Sequence, residues 1–257
     1  MQISLEGKRA LICGGTQGIG TGIAKCMASA GAEVILASRS EERAMNITSS
    51  LDGSNHGSIV LDQEDKSSIT NAAKAIKNLK VDIIVNNTGG PDPGQLINED
   101  WNNFEKAITK QLFCSQTLTV AAVENMRRGQ YGRVINIIST SVKIPIPGLA
   151  VSNTLRGAMA SWSKTLAEEV APFGITVNNL LPGFIETNRL KQIITNRAVN
   201  AGMNPSDVES GMLETIPAKR FGTVEDMGNV ATFLASEFAG YVTGTSICVD
   251  GGKTGAL

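Results

Sequence analysis

The sequence predicts a single doubly wound α/β domain on a mainly parallel sheet of about seven strands. Short β-branched runs alternate with longer amphipathic stretches along the whole chain. The short runs are apolar throughout, as strands covered on both faces must be, instead of alternating as strands with one wet face do. No linker, low-complexity tract or internal repeat breaks the 257 residues into separate units. With 42% hydrophobic residues the chain can bury a large core, and with aromatics at 4% that core must be mostly Ile, Leu, Val and Ala.

Residues 10–13 (ALIC) form the first strand, followed by a helix over 18–30 that opens on glycines. Residues 33–37 (EVILA) and 58–62 (SIVLD) are the second and third strands, with helices over 41–51 and 66–78 on either side of the third. The fourth strand is 81–86 (VDIIVN), and a long helix spans 100–127. The fifth is 132–139 (GRVINIIS), with a helix over 150–171 behind it. The sixth, 175–181 (ITVNNLL), is stopped by Pro182-Gly183. A helix over 224–236 and a last strand at 246–250 complete the pattern. Segment 187–221 interrupts it, being more polar and carrying Pro205 and Pro217. Ligands of open α/β sheets bind beyond the strand C-termini, so this insertion is expected to be a substrate lid, with a plain surface excursion as the alternative.

Lys plus Arg (23) nearly balance Asp plus Glu (24), which removes any global electrostatic case for nucleic acid or an anionic membrane. Cys13, Cys26, Cys114 and Cys248 are widely spaced and His56 is the sole histidine, so no metal site is expected. The N-terminal residues lack the basic start and apolar stretch of a signal peptide, and no apolar run reaches membrane-spanning length. A cytoplasmic location is the expectation.

The first strand leads into Gly14-Gly15-Thr16-Gln17-Gly18-Ile19-Gly20 at the start of a helix. Gly14 permits a tight turn, Gly18 lets the backbone approach a pyrophosphate, and Gly20 permits close packing. The helix N-terminus offers unpaired N–H groups and the positive end of its dipole to an anion. This Gly-x-x-x-Gly-x-Gly spacing resembles the short-chain dehydrogenase/reductase family, and the resemblance runs over essentially the whole chain. Asn86-Asn87-Thr88-Gly89 stands for the family's Asn-Asn-Ala-Gly, and Asn136-Ile-Ile-Ser139 for its Asn-x-x-Ser. Pro182-Gly183-Phe-Ile185-Glu-Thr187 stands for its Pro-Gly-x-x-x-Thr, and Val242-Thr-Gly244 and Asp250-Gly-Gly252 for its C-terminal pattern. The resemblance implies a Rossmann-type domain and a nicotinamide dinucleotide. Gly14, Thr16, Gln17, Gly18 and Ile19 would hold the pyrophosphate, Asp62 and Gln63 the adenine, and Asn87 and Gly89 the adenosine ribose. Pro182, Gly183, Ile185 and Thr187 would face the nicotinamide.

An acidic residue closing the second strand would bind the ribose of NAD and repel the 2′-phosphate of NADP. This chain has Ser38 and Arg39 there. A hydroxyl and a guanidinium suit a phosphate, so NADP is expected, with NAD the alternative and a surface pairing of Arg39 with Glu41 or Glu42 the bland reading.

The family moves a hydride between the nicotinamide and a carbonyl or alcohol carbon. A tyrosine, its pKa lowered from about 10 by a nearby lysine, handles the proton. Ser139 stands at the family's serine, which polarises the substrate oxygen. Ser152 stands where the tyrosine belongs and Arg156 where the lysine belongs, four residues apart on one helical face. Gln111 stands at the asparagine position of the long helix. An aliphatic hydroxyl is a far weaker acid than a phenol, and arginine stays protonated, so Ser152 and Arg156 cannot run the usual proton relay. Arg156 can still hold ribose hydroxyls and stabilise an oxyanion. Lys143, a water and the substrate's own acidic group are the candidate proton sources, with a solvated loop lysine the favoured reading of Lys143. With Arg156, Arg189 and Lys191, Lys143 would also make the pocket mouth positive and suit an anionic substrate.

The expected activity is therefore NADP-dependent oxidation or reduction of a small carbonyl or alcohol by an altered catalytic set. A catalytically silent NADP sensor or a supporting subunit is the alternative. The resemblance further implies a homo-oligomer, a tetramer, in which helices 100–127 and 150–171 pack across a dyad.

Overall fold

Seven parallel strands form one sheet in the order β3-β2-β1-β4-β5-β6-β7, in a computed structural model that describes residues 2–256. The strands are β1 (Arg9–Cys13), β2 (Glu33–Ser38), β3 (Gly57–Val60), β4 (Ile83–Asn86), β5 (Gly132–Ile137), β6 (Ile175–Pro182) and β7 (Ser246–Val249). The order reverses direction between β1 and β4, which opens a crevice beyond their C-terminal ends. The helices are α1 (Gly18–Ser29), α2 (Glu41–Thr48), α3 (Lys66–Asn78), α4 (Trp101–Ala107), α5 (Cys114–Gly129), α6 (Ala150–Val170), α7 (Asn188–Ala201), α8 (Pro205–Glu214) and α9 (Val224–Ala235).

Successive residues of the inner strands enter opposite cores, which is why these strands read as apolar throughout. Ala10 and Ile12 of β1 join Ile23 and Met27 of α1 and Met227, Ala231 and Leu234 of α9. Leu11 and Cys13 join Ile69 and Ile76 of α3, Leu118 and Met126 of α5, and Val170 of α6. Five side chains of segment 187–221, Leu190, Ile194, Met212, Ile216 and Phe221, make a third core away from the sheet.

The structure redraws several elements. The sheet is wholly parallel, and β3 ends at Val60 and not at Asp62. The predicted fifth strand stops at Ile137, because Ser139 instead accepts a hydrogen bond from Ser141 N–H at 3.0 Å and starts a 3₁₀ turn over Thr140–Val142. The single helix expected over 100–127 is three pieces, α4, a π-helical stretch Ile108–Phe113, and α5. Widening the turn to i→i+5 shifts the helix face by about a residue and carries Gln111 inward, to 1% exposure. Segment 187–221 consists of α7 and α8 and their own core.

A row of polar side chains crosses the buried middle of the sheet. Asn86, Asn136, Asn179 and Ser246 are register partners on β4, β5, β6 and β7. Asn86 Nδ2 donates to Asn136 Oδ1 at 2.8 Å, Asn136 Nδ2 to Asn179 Oδ1 at 3.1 Å, and Asn179 Nδ2 to Ser246 Oγ at 3.1 Å. Thr119 of α5 and Ser163 of α6 tie the row to both helices, accepting from Asn86 and Asn136. Inside a low-dielectric layer each amide left without its partner carries the full desolvation penalty.

Segment 187–221 is rooted at two nearby points. Thr187 caps α7 by accepting from Leu190 N–H, and a parallel bridge pairs Ile185 with Gly222. Beyond the bridge, Thr223 and Asp226 form a capping box on α9, and Arg220 donates two bonds to Asp226. The Arg220 guanidinium and the Thr223 N–H hold the Asp226 carboxyl below the usual carboxylate range.

Asn136→Ala removes both the acceptor of Asn86 and the donor to Asn179. We expect a loss of roughly 2–4 kcal/mol, seen as a lower urea midpoint with an unchanged m-value. Asp226→Asn is expected to cost about 1 kcal/mol at pH 7. Because the folded-state pKa of Asp226 is the lower one, its stabilisation is complete above the unfolded value of about 3.9 and is lost as pH falls through the folded value. The melting temperatures of parent and variant should converge at the acid end of a pH series.

Candidate active site

The chain leaves β1 at Cys13 and turns through Gly14 at φ +59° into α1. A Cβ on Gly14 would lie 2.9 Å from Asn87 Nδ2, and one on Gly20 would lie 2.3 Å from the Gly14 carbonyl oxygen. Only glycine allows this loop to fold flat against the start of α1. Asn87 Nδ2 donates to the carbonyls of Cys13 and Gly14 at 3.1 and 3.2 Å, and its own carbonyl accepts from Gln63 Nε2 at 3.1 Å. Three strand ends are thereby fastened to one another. Gln17 begins α1 without a side-chain cap, and no acidic residue sits in the first turn. The first N–H groups of α1 are left to an anion.

A cavity of about 650 Å³ runs along these strand ends. Its walls include Gly14, Thr16, Gln17, Gly18 and Ile19 of the glycine loop, Ser38 and Arg39 after β2, Asp62 and Gln63 after β3, and Asn87 and Gly89 after β4. Arg156 of α6 and Pro182, Gly183, Ile185 and Thr187 after β6 complete the set expected from the sequence. Every residue expected to touch the dinucleotide lines this one cavity. The volume falls within the range of small-molecule sites. The uncapped α1 terminus suits a pyrophosphate. No described ion pair engages Arg39 or its neighbour Arg43, so the pairing of Arg39 with Glu41 or Glu42 is absent. The residues present therefore fit a phosphorylated dinucleotide.

The positions expected from the sequence to be catalytic separate. Arg156 is 6% exposed and lines the cavity. Its terminal nitrogens donate to the carbonyls of Ile137 and Thr88 at 3.1 and 3.3 Å, while Nε has no partner. No carboxylate lies within ion-pair distance, and burial pushes its pKa down to about 10, which leaves it charged at neutral pH. Ser152, one turn earlier, is buried and outside the cavity lining. Ser139 also lies outside the lining, one residue beyond the lining Ile138, with its hydroxyl hydrogen uncommitted. Gln111 faces a second cavity of about 310 Å³, and neither polar atom of its amide has a partner.

Of the basic residues expected at the mouth, Arg189 lines the cavity from the first turn of α7, whereas Lys143 and Lys191 are exposed and outside it. Lys143 lies on the side of Cys248, whose thiol feels its charge. Sequence reasoning missed Ser40 and Arg43 beside the β2 end, Thr88, and Phe184, which stacks edge-on against Phe221. Arg43 had a signal, since it follows Arg39 by four residues into the capped helix that Ser40 begins. It also missed Lys110, which lines both cavities and pairs with Glu64 at 2.7 Å, holding that carboxyl below its usual range.

A parallel sheet whose order reverses above a glycine-bounded anion site, with a dinucleotide-sized groove along the strand ends, defines the class of nicotinamide-dependent Rossmann oxidoreductases. A family model described as enoyl-(acyl carrier protein) reductase matches residues 14–254. The chain is 35% identical over 253 residues to the 3-oxoacyl-(acyl-carrier-protein) reductase of Haemophilus influenzae, covering 96% of this chain and 98% of that one. It is 34% identical over 255 residues to the Escherichia coli enzyme of the same name, covering 97% and 98%. L-sorbose reductase from Gluconobacter frateurii, solved with NADPH and L-sorbose, superposes with a TM-score of 0.94 at 27% identity over 100% of both chains. The chain belongs to the short-chain dehydrogenase/reductase family.

Proposed function

We propose that this protein is an NADP(H)-preferring oxidoreductase that acts on the carbonyl or hydroxyl group of a small molecule through an altered catalytic set. The observation that carries the cofactor preference is the β2 end of the cavity, where Ser38 closes the strand in place of a carboxylate and Arg39 and Arg43 stand beside it. Two unpaired guanidiniums there favour a 2′-phosphate and leave the bare ribose diol of NAD without its acidic partner. The glycine loop and the α1 terminus hold the pyrophosphate, Asp62 and Gln63 border the adenine, and Asn87 and Gly89 border its ribose. Pro182, Gly183, Ile185 and Thr187 orient the nicotinamide end.

When bound, the reduced dinucleotide supplies a hydride. Arg156 holds the nicotinamide ribose and adds positive charge beside the reacting oxygen. Ser139 offers its free hydroxyl hydrogen to that oxygen, and Ser152, buried behind the lining, leaves open the space that the phenol would fill. Gln111 occupies the asparagine position of the family's relay. Segment 187–221 covers the nicotinamide end as a lid, with Arg189 favouring an anionic substrate. The protein works as a homotetramer, α4–α5 and α6 packing across a dyad, in the cytoplasm; among the described residues no helix is long and apolar enough to cross a membrane.

Isothermal titration tests the reading. NADPH should bind at least tenfold more tightly than NADH, and Ser38→Asp with Arg39→Ala should reverse the order. Equal affinities in the parent protein would defeat the assignment of the β2 end to a phosphate.

A further inference from the structure

We propose that the second cavity is a binding site for an uncharged cyclic amide, whose N–H and C=O share one edge and pair with the side chain of Gln111. The cavity, of about 310 Å³, lies between the loop that follows β4, one face of α4 and the first turn of α6. That volume is at the small end of the range for small-molecule sites. Glu64, Gly90 and Lys110 line both this cavity and the dinucleotide groove, whereas none of the glycine-loop or nicotinamide-end residues reaches it.

Gln111 is the reason to expect a guest. Its side chain is buried at 1% exposure, yet neither Nε2 nor Oε1 has a partner. A buried amide without hydrogen-bond partners is costly and calls for an explanation. The π-helical stretch Ile108–Phe113 brings it round to the cavity. It thereby presents a donor and an acceptor on one planar group.

That pair of atoms selects the ligand. A carboxylate offers acceptors only and would set an anionic oxygen against Gln111 Oε1. An ammonium offers donors only and would set its hydrogens against Nε2. An amide edge answers both atoms with two parallel hydrogen bonds, provided that its N–H and C=O lie on the same side. Open-chain secondary amides are trans and point the two groups in opposite directions; a lactam ring holds them together. Beside the amide the lining is apolar, with Ala107 and Val151 buried and Pro91 and Pro93 on the loop side, so the remainder of the ring would be covered by carbon. The charged groups leave the interior neutral. Lys110 pairs with Glu64 at 2.7 Å, Glu99 accepts from Asn103 Nδ2 at 3.0 Å, and Lys106 and Asp92 are exposed.

The frame of the site is preformed. Two prolines restrict the loop, and Gly94 bridges to Leu149. The Gly94 N–H donates to the Gly148 carbonyl at 2.8 Å, and the Gly94 carbonyl accepts from Ala150 N–H at 3.3 Å. Little order remains to be lost on binding. Asn103, Lys106, Ala107 and Lys110 recur every three or four places and so share one face, while Trp101 and Glu105, bonded to each other, lie opposite. A second copy meeting α4 on that outer face leaves the cavity open.

Isothermal titration of the full-length protein with 2-quinolone, N-methyl-2-quinolone and acetanilide tests this. The first has a cis amide edge, the second lacks its N–H, and the third is a trans amide. We expect saturable binding of 2-quinolone at one site per chain, at least tenfold weaker binding of the other two, and retention of 2-quinolone binding in the presence of NADPH. Gln111→Leu removes an unsatisfied amide, so it should keep the parent's melting temperature and lose the preference for 2-quinolone over its N-methyl derivative. Ala107→Leu, which fills the cavity and leaves the amide in place, should weaken 2-quinolone at least tenfold. Failure of 2-quinolone to bind, or equal binding of its N-methyl derivative by the parent protein, would overturn the proposal and leave Gln111 to an ordered water. A preference that survives Gln111→Leu would overturn it as well. Displacement of 2-quinolone by NADPH would place it in the dinucleotide groove and defeat the second site, with the reading of that groove untouched.

Discussion

The buried row Asn86–Asn136–Asn179–Ser246 is the constraint on which the site depends. Asn136 and Asn179 each use donor and acceptor on neighbouring strands and Asn86 donates to Asn136, so β4, β5, β6 and β7 are locked in one register. A slip of one residue would bury unpaired amides in an apolar layer and turn core side chains the wrong way. The loops that follow β4, β5 and β6 supply Asn87, Ile138 and Gly183, and therefore leave the sheet from fixed points. Ser163 carries the same register into α6, two turns after Arg156, so the helix bearing the central cation is referenced to the strands that carry the rest of the wall.

Charge is distributed along the cavity with a purpose that composition hides. The chain is almost neutral overall, yet positive groups collect at both ends of the groove, Arg39 and Arg43 at one and Arg156 and Arg189 at the other, with the α1 terminus between them. The acidic residues on the same wall, Asp62 and Glu64, lie on the β3 side, and Lys110 neutralises Glu64. A long polyanion is matched along its length by such a pattern, which net charge alone would never reveal.

The glycine loop, the Asn-Asn-Thr-Gly turn and the Pro-Gly segment were legible because each encodes its geometry locally, through a backbone that only glycine permits, a strand end or a helix start. The cavity lining followed from those motifs. The catalytic side was less legible. Gln111 moved inward because a π-helical stretch carries no residue signature, and the helical periodicity on either side of it conceals the extra residue. Ser139 sits past the strand end because its own hydroxyl draws Ser141 N–H into a turn. Lys143 and Lys191 face water and Arg189 faces the groove for reasons of three-dimensional placement that spacing does not encode.

The helical pair α7–α8 has its own apolar interior, and its two ends meet at the Ile185–Gly222 bridge. It therefore resembles a cassette, fastened at this bridge and again after β7, where Ala218 N–H donates to the Gly251 carbonyl and Lys253 Nζ to Thr215 Oγ1. Residues within the cassette can be exchanged, lengthened or reshaped while these fastenings, the asparagine row and the glycine loop stay unchanged. Under the lid role proposed above, a lineage of such proteins could revise what it admits to the groove at little expense to the scaffold, and chimaeras joined at Ile185 and Gly222 would graft one relative's segment onto another's sheet.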